Sequence, residues 1–260
     1  LQEAARAQVV SVDLRALGIE DYGTFKSRGF ARNASYSHGE LFFDGRPMTL
    51  ARWPNEGEWQ TITAAPEDAE TKDEHGGHLG ALTDGFFYES DEPKRWQQPD
   101  NLWVHGYWAY DWANSYEQVA ELDAEKQFIR TAEPYGHYGF RKGQRFYCLN
   151  VLEELDTPGE WFIDRETGIL YFWPPDAVDS GEALYSLLEQ PFIKCTGASH
   201  ILFQGLAFEA GRGNAIEITD GENVRVSSCL IRNMGTGAVA ISNGKNHGVS
   251  GCDIFDTGDG

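Results

Sequence analysis

The feature that most constrains this chain is a 23-residue repeat in its C-terminal third. Three segments align at that offset: HILFQGLAFEAGRGNAIEITDG from His200, NVRVSSCLIRNMGTGAVAISNG from Asn223, and NHGVSGCDIFDTGDG from Asn246. Equivalent columns hold Phe203, Val226 and Val249; Leu206, Cys229 and Cys252; and Phe208, Ile231 and Ile254. Further on, Ile193, Ile216 and Val239 align, then Ile218 and Ile241. The column His200, Asn223 and Asn246 and the pair Gly221 and Gly244 mark turns. Apolar and polar residues alternate over short runs, as in strands with one buried face. One repeat cannot bury that face alone, whereas copies stacked at the strand spacing of about 4.8 Å enclose a continuous interior. The Leu and Asn spacing of a leucine-rich repeat is missing. Residues 181–260 are therefore expected to be the first rungs of a right-handed parallel β-helix, with an amide ladder at the Asn column.

Residues 1–180 show no such period. Asp44-Gly45 supplies the positive φ angles of a tight hairpin in LFFDGRPMTLARW. YGFRKGQRFYCLNVL turns near Lys142-Gly143, and GEWFIDRETGILYFWPP turns around Thr167-Gly168 before Pro174-Pro175 closes it. Residues 64–84 are polar and Gly-rich and read as an exposed loop. SYEQVAELDAEKQ, 115–127, reads as a short helix, and LQEAARAQ at the start as another. The expected class is all-β: a sandwich-like, mostly antiparallel N-terminal or inserted domain over 1–180, joined near Asp179–Gly181 to the β-helix.

The 260 residues are 41% hydrophobic and 24% charged, so the chain is globular rather than disordered. No apolar run approaches the roughly 18 residues of a membrane span. A net charge of −20 repels a phosphate backbone, which excludes nucleic acid and anionic membrane surfaces as partners. The same charge disfavours an acidic glycan unless a local basic groove overrides it. Cys148, Cys195, Cys229 and Cys252 lack zinc spacing; the three in the repeats read as small buried residues. No cofactor and no metal site is expected. The chain opens without Met and stops inside a repeat, so a fragment or processed piece is expected, with a second chain or further segment covering the open end of the β-helix.

The densest feature is the aromatic run WQQPDNLWVHGYWAYDW from Trp96 to Trp112. On an extended strand Trp108, Tyr110 and Trp112 share one face, with His105 and Tyr107 on the other. Flat rings stack on sugar faces, which makes Trp108, Tyr110, Trp112 and His105 candidates for a carbohydrate subsite. The competing role, core of a small β domain, carries the greater weight. His75-Gly-Gly-His78 beside Asp73 and Glu74 has the residue types of a metal cluster but reads better as a solvated loop. Glu153, Glu154, Asp156, Glu160 and Asp164 read as structural carboxylates, with Arg145 and Arg165 as available partners.

Glycosidic cleavage commonly uses two carboxyls, about 5 Å apart in a retaining enzyme, and adjacent rungs of a β-helix offer that separation. At the 23-residue register, however, Glu209 faces Arg232, Glu217 faces Ala240, Asp220 faces Asn243 and Glu222 faces Lys245. Asp253, Asp256 and Asp259 are the remaining catalytic candidates, each needing a partner beyond Gly260. Turn formation is the better single account of Asp256 and Asp259 in Asp-Thr-Gly-Asp-Gly.

Four strings carry a resemblance: LFFDGRPMTLARWPNEG (41–57), HGYWAYDWA (105–113), RFYCLNVLEELDTPGEWFIDRETGILYFWPP (145–175) and GCDIFDTGDG (251–260). They look like bacterial right-handed β-helix proteins of glycoside hydrolase family 141, a group similar to α-L-fucosidases and xylanases acting on plant cell-wall glycans. The more distant family 120 β-xylosidases share the architecture. The resemblance implies a β-helix interrupted by a β-rich insert, in an extracellular or periplasmic enzyme. It also places the DTGDG segment, with Asp256 and Asp259, where the family's helix begins to line its cleft. Family members are longer, most rungs following that segment. A glycoside hydrolase acting on polysaccharide or oligosaccharide is therefore the first expectation. A polysaccharide lyase is the second, disfavoured because the exposed Lys194, Arg212, Arg225, Arg232 and Lys245 form no dense stripe. A non-catalytic glycan-binding solenoid is the third, supported by the lack of an acid pair.

Overall fold

A computed structural model describes residues 1–32, 35–66, 71–72, 77–97, 101–178 and 181–258. Among them the only α-helix is one turn, Glu3–Arg6, within the stretch read as helical; strands make up almost all the remaining regular structure. The chain divides into two compact units. One comprises Leu1–Asp13, Lys26–Ala34 and Thr49–Pro175; the other comprises Leu14–Phe25, Ser35–Met48 and Asp176–Gly260.

The second unit contains the coil. Three parallel sheets each take one strand per rung: Ile193–Thr196, Ile216–Thr219 and Val239–Ser242; Leu202–Gln204, Arg225–Ser227 and Gly248–Ser250; Ala207–Gly211, Leu230–Met234 and Asp253–Thr257. Every pairing has the 23-residue offset, as in Ile193↔Ile216↔Val239, Phe203↔Val226↔Val249 and Phe208↔Ile231↔Ile254. Phe208, Ile216, Ile218, Val226, Cys229 and Ile231 fill the interior, and all four cysteines are free thiols. His200, Asn223 and Asn246 turn the chain with φ of 58°, 56° and 54°. At that corner Asn246 Nδ2 donates to Asn223 Oδ1 at 2.5 Å, the expected amide ladder. On the last rung Ile241, Val249, Ile254 and Phe255 are exposed. Leu206, read as part of an interior column, is also exposed.

Arg212 corrects an expectation of exposure. It is buried, its Nε donates to the Ser37 carbonyl at 2.9 Å, and a terminal nitrogen lies 2.9 Å from Glu189. The same unit holds the hairpin of Leu41–Phe43 and Arg46–Pro47, joined by Ala183–Tyr185 in an antiparallel sheet. Asp44 and Gly45 both take positive φ, 51° and 71°, as that dipeptide predicts.

The first unit is mostly antiparallel. Its larger sheet runs Phe86–Phe87, Phe128–Thr131, Asn114–Asp123, Trp103–Tyr107, Arg145–Leu149, Arg52–Trp53, with Arg28–Gly29 and Gln60–Thr61 pairing alongside. A smaller sheet holds Val10–Asp13, Ile169–Phe172, Glu160–Asp164 and Thr49–Leu50, and includes the hairpin expected at Thr167-Gly168. Trp53, Phe86, Trp96, Val104, Trp108, Phe140, Phe146 and Cys148 form the core against the larger sheet.

Two local expectations fail here. The segment read as a helix over 115–127 is the ten-residue strand Asn114–Asp123, because it pairs with Trp103–Tyr107 on one side and Phe128–Thr131 on the other. The chain does turn at Lys142-Gly143, where Gly143 has φ 88°. Its flanks do not form a hairpin, since Arg145–Leu149 pairs with Trp103–Tyr107 and with Arg52–Trp53.

Candidate functional site

The central strand Trp103–Tyr107 sorts its side chains by alternation. Val104 joins Phe146 and Cys148 of the neighbouring strand in the core. His105 and Tyr107 take the opposite face with Arg145 and Tyr147. His105 stands in register with Tyr116 on one neighbour and Tyr147 on the other, at ring distances of 4.3 and 4.9 Å. The two tyrosine hydroxyls lie 3.4 Å apart. Trp59 packs against His105, Tyr107 and Tyr147 at 6.0, 5.8 and 5.2 Å.

Three guanidiniums share this face. Arg52 lies over Tyr147 at 3.5 Å, Arg145 over Tyr107 at 4.1 Å, and Arg28 over Tyr116 at 5.6 Å. Burial, reinforced by Arg52, Arg28 and Arg145 and opposed by a hydrogen bond to Asn114, lowers the His105 pKa to about 4. The imidazole is therefore neutral at pH 7. Burial also raises the Tyr147 hydroxyl well above its usual value, so Tyr147 stays a neutral phenol.

The strand ends at Tyr107, so Trp108, Tyr110 and Trp112 do not line up on one strand face. The chain turns instead, with Ala113 N donating to the Tyr110 carbonyl at 3.1 Å. Trp108 goes into the core, where its Nε1 donates to Ser115 Oγ at 2.8 Å. Tyr110 and Trp112 stack at 5.4 Å with their planes 19° apart. Tyr138 meets both edge-on at 4.9 and 5.7 Å, and Phe30 meets Trp112 edge-on at 4.9 Å. Trp112 is 60% exposed. Tyr110, Tyr135, His137, Tyr138, Leu79 and Lys72 line an adjoining cavity of about 510 Å³. Asp111, which lies between Tyr110 and Trp112 in sequence, accepts from Arg145 at 2.8 Å and so links this cluster to the arginine face.

The carboxylates of 153–164 are structural, although Arg145 serves Asp111 instead. Glu154 accepts from Trp96 Nε1 and pairs with Arg95 at 2.8 Å. Glu160 accepts from the backbone of Asp156 and Thr157 at 2.9 and 3.2 Å. Burial raises both acids to about 7. Both are almost fully inaccessible, which separates them from a catalytic acid that must touch substrate.

On the coil, Asp253 is exposed and in register with Leu230. Asp256 is exposed in a left-handed turn, φ 52°, in the column of Ala210 and Asn233. Asp259 lies outside the described residues, as do Asp73, Glu74 and His75 of the His-rich loop. Among the described residues no group of three or more His, Cys, Asp or Glu is placed to hold a metal ion. The aromatic run led to Tyr110, Trp112 and His105. It did not lead to Trp59, Arg52, Tyr116, Tyr147 or Tyr138, which strand pairing and turns bring in from elsewhere. The available signal was the alternation Arg145, Tyr147 against Phe146, Cys148.

Residues 190–260 match the family model described as right handed beta helix region. No curated protein matches the chain. Among solved structures the chain is similar to one described as a glycoside hydrolase, with a TM-score of 0.58 and 13% identity. The alignment covers 91% of this chain and 58% of that one, so this chain spans little more than half the length of the protein it matches. At that identity the likeness is one of fold: a right-handed parallel β-helix accompanied by antiparallel sheets.

Proposed function

We propose that this chain is part of a carbohydrate-active enzyme, a glycoside hydrolase acting on plant cell-wall type polysaccharide or oligosaccharide, in an extracellular or periplasmic setting. The observation that carries the reading is the stacked pair Tyr110–Trp112 beside its cavity. Leaving most of an indole in water forfeits the burial that would otherwise stabilise it, so its exposure suits a ring that is covered by ligand. Two nearly parallel rings offer flat apolar surface to the C–H faces of a sugar, and the polar tips of Tyr135, Tyr138 and His137 suit its hydroxyls. The fold's likeness to a glycoside hydrolase structure supports the enzyme class. Hydrolysis needs a carboxyl pair, and the proposed members from this chain are Asp253, Asp256 and Asp259.

A second reading, a non-catalytic glycan-binding β-helix, is favoured by one observation. Among the described residues no acid faces an acid on an adjacent rung: Glu209 meets Arg232, Glu217 meets Ala240 and Glu222 meets Lys245.

Titration with xylan-type and fucosylated oligosaccharides, followed by tryptophan fluorescence, tests the platform. Trp112→Ala is expected to weaken binding by about tenfold or more; unchanged affinity would overturn the reading. New reducing ends without an unsaturated chromophore support hydrolysis. The chromophore marks a lyase, and binding with neither product selects the second reading.

A further inference from the structure

The chain carries a net charge of −20, yet positive charge collects on the outer face of the larger sheet. Cations and rings alternate there. Arg52 lies 3.5 Å from the Tyr147 ring centre and 5.8 Å from that of Trp59. On the other side of the series, Arg145 lies 5.3 Å from Trp59 and 4.1 Å from Tyr107. Trp59 sits between the two guanidiniums and is 37% exposed.

The two arginines differ in how their charge is met. Arg145 is partly exposed and pairs with Asp111 at 2.8 Å. Arg52 is 9% exposed. It donates to the carbonyls of Pro54 and Glu58 at 2.8 and 2.9 Å, and among the described residues it has no carboxylate within ion-pair distance. Glu56 and Glu160 act on it only through space. A buried cation is costly when nothing of opposite charge meets it. Its contacts with the Tyr147 and Trp59 rings offset part of that cost, and its positive charge is left without a carboxylate in contact beside Trp59. The central His105 is neutral, and its buried Nδ1 has no partner among the described residues, so it adds no charge of its own to the face.

We propose that this face binds a saccharide bearing a carboxylate, a uronic acid unit, with the sugar ring on Trp59 and the carboxylate toward Arg52 and Arg145. The inference rests on the carbohydrate reading above for the ring and adds the charge. It also supplies a local basic patch of the kind that the whole-chain charge left open.

The test compares a glucuronate-substituted xylo-oligosaccharide with the same molecule esterified at its carboxyl, by calorimetric titration. The acid form is expected to bind about tenfold tighter than the ester. That preference should shrink between about 20 and about 300 mM salt, because the pair is partly exposed. Arg145→Gln and Trp59→Ala, both changes at partly exposed positions, are expected to abolish it, with thermal melts confirming that each variant folds. Equal binding of acid and ester, or a preference that survives both substitutions, would overturn the inference. If neutral oligosaccharide still binds in a Trp112-dependent way in those cases, the carbohydrate reading stands and only the uronate assignment falls. If no oligosaccharide binds at all, both fall.

Discussion

Arg232 donates from Nε to Glu209 Oε2 at 2.7 Å, one full turn of the coil further along the chain. The 23-residue register placed these residues opposite each other, and in this column the next rung answers an outward-pointing acid with a base. Both side chains are partly exposed, so water and salt screen the pair. A double-mutant cycle with Glu209→Gln and Arg232→Gln, measured by urea unfolding, is expected to give a coupling of about 0.2–1 kcal/mol that fades in high salt. A coupling several times larger would mean that the pair is more desolvated than its exposure indicates.

The turns of the coil make a sharper prediction. Gly205 and Gly221 both lie in the left-handed region, with φ of 68° and 78°. A Cβ on Gly205 meets no heavy atom within 4 Å, whereas one on Gly221 falls 1.9 Å from the carbonyl oxygen of Ala198 on the preceding rung. Gly205→Ala should therefore cost only the backbone strain, roughly 1–2 kcal/mol. Gly221→Ala adds a clash with backbone that cannot move without opening the rung, and is expected to cost more than about 4 kcal/mol. Thermal or denaturant melts of the two variants decide it, and equal costs would contradict the close approach of the rungs at this corner.

Buried acids and a buried imidazole give the first unit opposing responses to pH. Glu160, raised from 4.5 to about 7 by burial, favours the folded state below pH 4.5, and that contribution is lost as pH rises through 7. Glu154 behaves alike. His105 runs the other way: with its pKa lowered from 6.5 to about 4, its contribution is full above pH 6.5 and is lost as pH falls through 4. The two trends overlap between about pH 4.5 and 6.5 and partly cancel there, so the acids show most clearly from pH 6 to 8. Glu160→Gln retains a carbonyl to accept from Asp156 and Thr157 but has no proton to lose. It is expected to flatten the decline from pH 6 to 8, a relative gain of roughly 1–3 kcal/mol at pH 8. A slope unchanged by the substitution would show that Glu160 ionises in the fold at no cost.

The coil was legible because its stabilising contacts are periodic in sequence. Phe208, Ile231 and Ile254 occupy one column whether counted by 23 or observed in register. The hairpins at Asp44-Gly45 and Thr167-Gly168 were legible because a tight turn is a local event. The strand Asn114–Asp123 was not: Glu117, Gln118, Ala120, Glu121 and Leu122 favour helix taken alone, and only neighbours on both sides make the segment extended. The aromatic site divides in the same way. Tyr110 and Trp112 are close in sequence and were found by density. Arg52, Trp59 and Tyr147 surround His105 through pairings of the Trp103–Tyr107 and Arg52–Trp53 strands with Arg145–Leu149 and the approach of Trp59, which no local pattern announces.

Trp108 and Trp112, four residues apart and drawn from one aromatic run, should separate when each is truncated. Trp108 is 3% exposed. Its Nε1 donates to Ser115 Oγ, which donates to Glu117 Oε1 at 2.5 Å, and Arg32 pairs with that carboxylate. Removing the indole opens a cavity among Phe86, Phe140 and Gly106 and leaves Ser115 with one partner fewer. Trp108→Ala is therefore expected to cost about 3–5 kcal/mol of stability. Trp112 touches Phe30, Tyr110 and Tyr138 but buries less than half its surface, so Trp112→Ala should cost less than about 1.5 kcal/mol. Glycan affinity is expected to sort the other way: lost in Trp112→Ala, and retained by whatever fraction of Trp108→Ala remains folded. Urea melts and oligosaccharide titrations on the same two proteins measure both axes. A Trp112 variant that melts as early as the Trp108 variant would make the stacked pair a packing element and remove the principal support for a sugar platform.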